Sequence, residues 1–310
     1  MITARIDATT EIQPDYLKEV CPVPKSVKIE LTSNCNYQCG FCANVDAGNK
    51  GTMEKAEYHR IVKEMRDAGV EELGLFYIGE SMIVPWLAEA VQYAKAIGYP
   101  YVFLTTNGSL ATPAKVEALM KAGLDSLKFS FNNSDPEQFR KITRVAPRWF
   151  NKTIDNIKSA RKIRDAGGYK TKIYASSIKY DGAQQERMEA AVSEIRPYLD
   201  EHYWLPLYSF GAQATDKENE LGMKPGAGNP GRLEAMRSPL PCWAVFKEGH
   251  ITREGKMSAC CFDSDNKWEM ADLKQVSFVD AWNSQAYQAL RRAHLSGNVR
   301  GTACEECIHG

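Results

Sequence analysis

The chain has 310 residues, 44% hydrophobic and 25% charged, and 39 basic residues balance 39 acidic ones for a formal net charge of zero. It can bury one or two full cores in an ordinary globular composition, and the balanced charge gives no general pull toward nucleic acid or anionic membrane. No apolar run approaches a membrane span, the first 26 residues are polar and acidic rather than a signal peptide, and nine cysteines without an export signal point to metal ligation in a reducing cytoplasm, not disulfides.

An N-terminal extension, 1–26, precedes an apolar strand carrying Val27, Ile29 and Leu31. The strand leads into Cys35-Asn-Tyr-Gln-Cys39-Gly-Phe-Cys42. Thiolates packed this tightly on one loop can hold a metal cluster. Three cysteines can ligate only three irons of a four-iron cubane, which leaves the fourth open to something other than protein. Half of a zinc site is a competing reading, but zinc loops usually come as paired Cys-x-x-Cys knuckles. Buried structural thiols are another, and three within eight residues fill a core poorly.

Strand and helix signals then alternate. Tyr58, Ile61, Val62 and Met65 have helical spacing, with Gly69 as a stop. Residues 73–78 form a near-continuous apolar run, suited to a strand buried on both faces. Pro85 opens a helix with Leu87, Val91 and Ile97 inward, and 101–105 is the next strand. Thr112 and Pro113 are an N-cap and first-turn pair for a helix carrying Val116, Leu119 and Met120 and ending at Gly123. Leu127, Phe129 and Phe131 mark a strand; Ile154, Ile157 and Ile163 lie on a helix ended by Gly167-Gly168. Residues 173–178 read as a strand, Met188, Val192 and Ile195 as a helix stopped by Pro197, and 203–210 as the last strand. Six strands with helical crossovers imply an α/β fold with a parallel sheet and helices outside. Six units are too few for a closed eight-unit barrel, so 27–210 should form a partial (β/α)6 barrel. Ligands should sit at the C-terminal strand ends, where the cysteine loop falls.

Residues 211–240, rich in Gly, Pro, Asn and charge, read as a linker. Residues 241–310 read as a small second domain. Cys242 precedes a hairpin with Ile251, a turn over 252–255 and Met257 leading to Cys260-Cys261. One helix is expected over 278–295, with Trp282, Ala286, Ala289 and Ala293 on one face, before Cys304-Glu-Glu-Cys307. A structural zinc ribbon fits this spacing alone. Cys260 and Cys261 alternate across a strand, so only one can easily ligate.

The cysteine loop after an apolar strand, with Phe41 just before its last cysteine, resembles the radical S-adenosylmethionine (SAM) superfamily. The resemblance implies that Cys35, Cys39 and Cys42 hold a 4Fe-4S cluster whose open iron takes the amino and carboxylate groups of SAM. The later pattern of Cys242, Gly255, Cys260, Cys304 and Cys307 resembles the Twitch domain, a shortened SPASM domain built as a β-hairpin plus helix. It implies four ligands to one auxiliary 4Fe-4S cluster, with Cys260 or Cys261 as the second. The full SPASM domain needs three more cysteines, and only Cys261 is left over there.

The resemblance extends to SAM contacts. Gly79-Glu80 matches a Gly-Glu pair whose carboxylate accepts from the SAM ammonium, with Ser81 where relatives often have Pro. Thr106 and Asn107, in Thr105-Thr-Asn-Gly108, match a turn lining the SAM site. Ser130 matches a ribose contact and Arg144 a contact to the SAM carboxylate, while Ser176 or Ser177 could add a ribose contact. The implied chemistry is reductive SAM cleavage to a 5′-deoxyadenosyl radical, fed by an external flavodoxin- or ferredoxin-like donor, then hydrogen-atom abstraction. Relatives with one auxiliary cluster include aminocyclitol and aminoglycoside dehydrogenases and epimerases, and the string from Asp280-Ala-Trp-Asn283 to Arg291 looks like that group. Only 26 residues precede the first strand, too few for a peptide-recognition domain, so a small polar substrate is expected, with peptide modification as the alternative. Cys261 is the catalytic candidate: a thiol facing away from the cluster could return a hydrogen atom in an epimerase. Its bland alternative is a small buried side chain, and the reading leans to oxidation.

Overall fold

The computed structural model describes residues 1–45, 50–210, 221–263 and 267–309. Before the sheet comes α1 (Ile2–Thr10), an element the sequence pattern did not announce. The strands β1 (Ser26–Ile29), β2 (Glu72–Gly74), β3 (Tyr101–Thr106), β4 (Ser126–Ser130), β5 (Lys172–Ile178) and β6 (Glu201–Leu205) pair in parallel in that order. Between them run α2 (Lys55–Asp67), α3 (Leu87–Ala96), α4 (Pro113–Lys121), α5 (Pro136–Thr143), α6 (Arg148–Gly167) and α7 (Gly182–Ile195).

The strand pleat sorts residues by chemistry. On β4, Leu127 and Phe129 are buried beneath the helices, while Lys128 and Ser130 between and after them are half-buried on the concave side. β3 alternates in the same way, with Val102 and Leu104 fully buried. The concave face therefore mixes polar side chains such as Lys128 and Ser130 with aromatic ones such as Tyr101 and Phe103, and it leaves room for a ligand. Helix α2 buries the expected stripe of Tyr58, Ile61, Val62 and Met65. Helix α5 was not anticipated, although Asp135-Pro136 is its start signal: Asp135 accepts from the Glu137 and Gln138 amides, and Pro136 sits in the first turn. The strands expected over 73–78 and 203–210 stop early, at Gly74 and Leu205. Their remaining residues bend away as loops toward the C-terminal end of the sheet, where they line a cavity.

Helix α1 closes the opposite end of the half-barrel. The Ile2 amide and Thr3 hydroxyl donate to Glu201 on β6, and Arg5 pairs with Glu72 on β2. The Arg5 guanidinium also lies 3.8 Å over the Tyr101 ring. Arg232 pairs with Asp7 at 2.7 Å, which anchors the helix from the far side.

The C-terminal region adds α8 (Ala244–Lys247), β7 (Glu248–Ile251), β8 (Lys256–Ser258), β9 (Glu269–Asp272), α9 (Phe278–Trp282), α10 (Gln285–Leu295) and α11 (Glu305–His309). Among the described residues this makes one sheet in the order β6-β5-β4-β3-β2-β1-β7-β8-β9, and it does not close into a barrel. β7 joins β1 in parallel over four residue pairs, and β8 and β9 continue antiparallel. The hairpin is thus an extension of the core sheet, with β9 as a third strand that the sequence did not signal.

The single helix expected over 278–295 is two, because Ser284 interrupts it and caps α10 by accepting from the Tyr287 amide. Trp282 is fully buried and its indole donates to the Pro22 carbonyl at 2.8 Å. Part of the expected linker, 211–220, lies outside the described residues. The described part is fastened at both ends: Tyr208 donates to Gly231, Trp243 to Asn229, and the Gly228 amide to Cys307. Among the described residues no helix is long and apolar enough to cross a membrane.

Candidate active site

The cysteine loop begins where β1 ends and lies over the C-terminal edge of the sheet. Its backbone is pinned from α5: the Gln38 amide donates to Thr143 and the Gly40 amide to Ile142. Cys35, Cys39, Phe41 and Cys42 all line one cavity of about 320 Å³. The same wall holds Gly79, Glu80, Thr106, Asn107, Ser130 and Ser176, so it gathers most of the sequence-expected SAM contacts. Arg144 is not among them. It ends α5 in the left-handed conformation with φ +59°, exposed, beside a separate open groove with Asp135 and Arg187. A left-handed C-terminal residue turns the chain away from the helix axis, and Arg144 lines that groove rather than the cavity. Ser176 stands opposite Ser130 on paired strands and faces the cavity, whereas Ser177 points the other way and donates to the Phe131 carbonyl.

Glu80 is buried in the cavity wall. It accepts from the Met82 amide at 2.9 Å, the Thr106 hydroxyl at 2.9 Å and the Asn107 amide at 2.7 Å. Burial raises its carboxyl above the usual range, and the three donors hold it back part of the way. A cationic group arriving in the cavity would favour the charged form and gain from it. Gly79 before it has no substitute: a Cβ there would lie 2.1 Å from the Thr32 carbonyl oxygen. That close approach lets the Glu80 amide donate to Asn34 and locks the β2 loop to the cysteine loop. Asn107 ties the next loop in, donating to Asn36, which itself donates to Ser109. Sequence reasoning missed Asn36 and Ser109; a short polar residue inside a cysteine loop is a weak signal.

Burial pushes the Cys35 thiol up to about 11, and the nearby Glu80 and Cys42 charges add to this. Cys242, Cys260, Cys304 and Cys307 stand near enough for their charges to act on one another. Burial drives Cys242 up to about 12 and also raises Cys260 and Cys304. Crowded buried thiols of this kind become thiolates when a cation sits among them, so both donor sets fit iron–sulfur clusters. The Phe262 amide donates to Cys260 Sγ at 3.4 Å, the kind of contact that stabilises a ligating sulfur. Among the described residues no three His, Cys, Asp or Glu side chains converge on a single metal ion; a cubane spreads its ligands over separate irons. Gly255 adopts φ +80° in the turn before Cys260. Cys21 is apart from both sets, buried with its thiol donating to the Tyr16 carbonyl.

Cys260 and Cys261 do not alternate across a strand as expected, because β8 ends at Ser258 and both lie in the turn beyond it. Cys261 lines the cavity and is also near enough for its charge to act on Cys242 and Cys260. Beside it is a buried charge network. Lys28 pairs with Glu248 at 2.7 Å, and Glu248 meets His250 Nε2 at 3.0 Å. Burial would raise Glu248, but Lys28 and His250 bring it down to about 2. Burial would raise Cys261 too, yet Lys28 and His250 hold it below an ordinary thiol. Tyr77, also in the cavity wall, donates to the Cys260 carbonyl at 2.7 Å and so links the two cysteine sets. Lys28 breaks an otherwise apolar β1, a charge inside a strand that could have marked the site.

A half-barrel with a three-cysteine loop at its C-terminal edge and a second thiol set on an extended sheet defines an iron–sulfur enzyme. Comparison with known proteins makes the class specific. The radical SAM superfamily model matches residues 29–173, and the iron–sulfur cluster-binding SPASM domain model matches 242–308. The chain thus carries a radical SAM domain and an SPASM-type domain, which together imply SAM, a SAM-binding 4Fe-4S cluster and auxiliary iron–sulfur ligation.

Among curated relatives, the GTP 3′,8-cyclase of Chlorobaculum tepidum is 35% identical over 38% of this chain and 36% of its own length. The PqqA peptide cyclase of Granulibacter bethesdensis is 33% identical over 46% of this chain and 37% of its own. The chain thus spans under half the length of these relatives. The structure of BtrN in complex with AdoMet and 2-DOIA superposes with a TM-score of 0.61 at 14% identity, covering 93% of each chain. Streptococcus suis SuiB bound to its precursor peptide SuiA gives 0.66 at 15% identity, covering 93% of this chain and 69% of that one. At these identities the likeness is one of fold.

Proposed function

We propose that this enzyme abstracts a hydrogen atom from a small polar substrate, sugar-like or aminocyclitol-like, held inside the half-barrel, and that the outcome is oxidation. The carrying observation is the cavity itself: it joins the three-cysteine loop to a polar inner wall of Ser130, Ser176, Lys128 and Cys261. When bound, SAM and its cluster would supply radical chemistry, and the auxiliary cluster would offer an acceptor for the electron that oxidation releases. Cys35, Cys39 and Cys42 would hold the first cluster and Cys242, Cys260, Cys304 and Cys307 the second. Glu80 would orient the SAM ammonium; Ser130 and Ser176 would take the ribose. The loops after β2 and β6 keep water from the reacting carbon. Cys261 Sγ accepts from Asn229 Nδ2 at 3.7 Å and faces the Lys28 ammonium, an environment that uses sulfur as an acceptor. That favours oxidation over return of a hydrogen atom from this thiol. BtrN supports the small-substrate reading, since its match runs the length of both chains.

The second reading, modification of a ribosomally made peptide, draws on SuiB with its precursor peptide and on the PqqA cyclase segment. Anaerobic reconstitution with SAM, a reductant and candidate substrates tests both. Production of 5′-deoxyadenosine supports the radical reading, and tightly bound zinc without iron absorbance sinks it. A mass loss of two hydrogens in a sugar-like substrate favours the first reading, and a changed peptide the second.

A further inference from the structure

A second chamber of about 200 Å³ lies between the inside of the half-barrel and α1, and it shares wall residues with the first, among them Lys28, Phe76, Lys128, Tyr208 and Cys261. Lys128 lies two residues below Ser130 on the same face of β4, about 7 Å deeper toward α1. Its ammonium is 3.3 Å from the Tyr203 hydroxyl and 5.7 Å from the centre of the Tyr203 ring. Among the described residues it has no carboxylate partner.

The acids of these walls are committed elsewhere. Glu248 holds Lys28 and His250, and Glu80 is ringed by three donors at the far end. Arg5, on α1, is taken by Glu72. Lys28 and Glu248 cancel, so Lys128 leaves the inner wall with one positive charge in excess. Lys128 is half-buried and lines both chambers without a counter-charge, so an incoming anion gains a charge-assisted hydrogen bond there. The SAM carboxylate is not that anion, because in the proposed arrangement it is bound to iron.

We propose that Lys128 receives an anionic group of the substrate, a carboxylate or a phosphate, with the Tyr203 hydroxyl as second donor. This rests on the reading of the cavity as the substrate chamber and narrows it. Sugar acids and sugar phosphates fit; an aminocyclitol, whose ammonium groups Lys128 repels, does not.

The test uses the reconstituted, SAM-loaded enzyme and calorimetric titration with inorganic phosphate and, separately, succinate. Saturable binding of phosphate points to a phosphorylated substrate and of succinate to a carboxylated one. Lys128→Met should weaken that binding at least roughly tenfold, while Lys128→Arg, which keeps the charge, should stay within about threefold. Iron content and thermal melting establish that both variants are folded. No binding of either probe by the wild type, or equal binding by wild type and Lys128→Met, overturns the proposal. Formation of 5′-deoxyadenosine by the wild type keeps the two readings apart: if it forms while anion binding ignores Lys128, only the anionic site is wrong, and if it never forms, the parent reading has failed.

Discussion

The two cysteine sets are assembled in opposite ways. Cys35, Cys39 and Cys42 fall on one loop that a single strand delivers and a single helix end pins. Cys242, Cys260, Cys304 and Cys307 come from the start of α8, the end of β8 and both sides of the last helix turn, spread along the whole C-terminal region. The first set is contiguous in sequence, though loops from α5, β2 and β3 brace it. The second exists only once β7, β8 and two helices have found one another. A local set should therefore be lost alone, and a scattered one should be sensitive to distant packing.

The largest expected effect tests the independence of the sets. Changing Cys35, Cys39 and Cys42 to Ala should abolish 5′-deoxyadenosine formation and reduce iron from about eight to about four per chain. Loss of all iron would mean that the scattered set depends on the local one. Glu80→Ala comes next. It removes one charge-assisted partner, so SAM affinity should fall by roughly 1.5–3 kcal/mol with the iron of both sets retained. Unchanged SAM binding would remove Glu80 from the site.

A smaller effect should appear where the two regions touch. Glu30, at the end of β1, is buried and accepts from the Arg253 amide in the C-terminal turn. Burial raises its carboxyl to about 7. The folded state then binds more protons than the unfolded state from about 4.5 upward, so this residue's contribution to stability falls as pH rises through that window. Glu30→Gln should gain melting temperature over wild type at pH 8 and gain less at pH 5. An equal difference at both pH values would show that Glu30 is not the titrating group. The smallest effect belongs to Cys261→Ala, which should keep its iron and its turnover, while Cys260→Ala loses the auxiliary iron. Deuterium from heavy water at the attacked carbon, absent in Cys261→Ala, would convert the proposed oxidation into epimerisation.

The same contrast explains what could be read from the chain. The three-cysteine loop, the parallel strands and the helix stripes rest on local spacing and were legible. Of the expected SAM contacts, Glu80, Thr106, Asn107, Ser130 and Ser176 were reachable because each lies at or near the C-terminal end of a strand or in the loop after it, at a position matching a family motif. Arg144 was not: its place depends on the left-handed end of a helix that itself went unread. Lys128 and His250 sit at inward positions of strands whose neighbours are apolar, and only the pleat reveals which way a lone charge points. The parallel pairing of β7 with β1 joins residues more than 200 positions apart, and no periodicity announces such a partner.

That pairing has a consequence for the chain's solubility. A half-barrel of six strands has two raw margins, and without β7 one of them is the largely buried β1, with unpaired amide and carbonyl groups along its length. Such a margin recruits strands from other molecules. The C-terminal region hides it and moves the exposed border out to β9, which is short, half-buried and bracketed by Glu269 and Asp272. A chain cut before Cys242 would therefore be more than an enzyme short of one cluster. It would be a sticky fragment, prone to aggregate while its first cysteine loop was still intact.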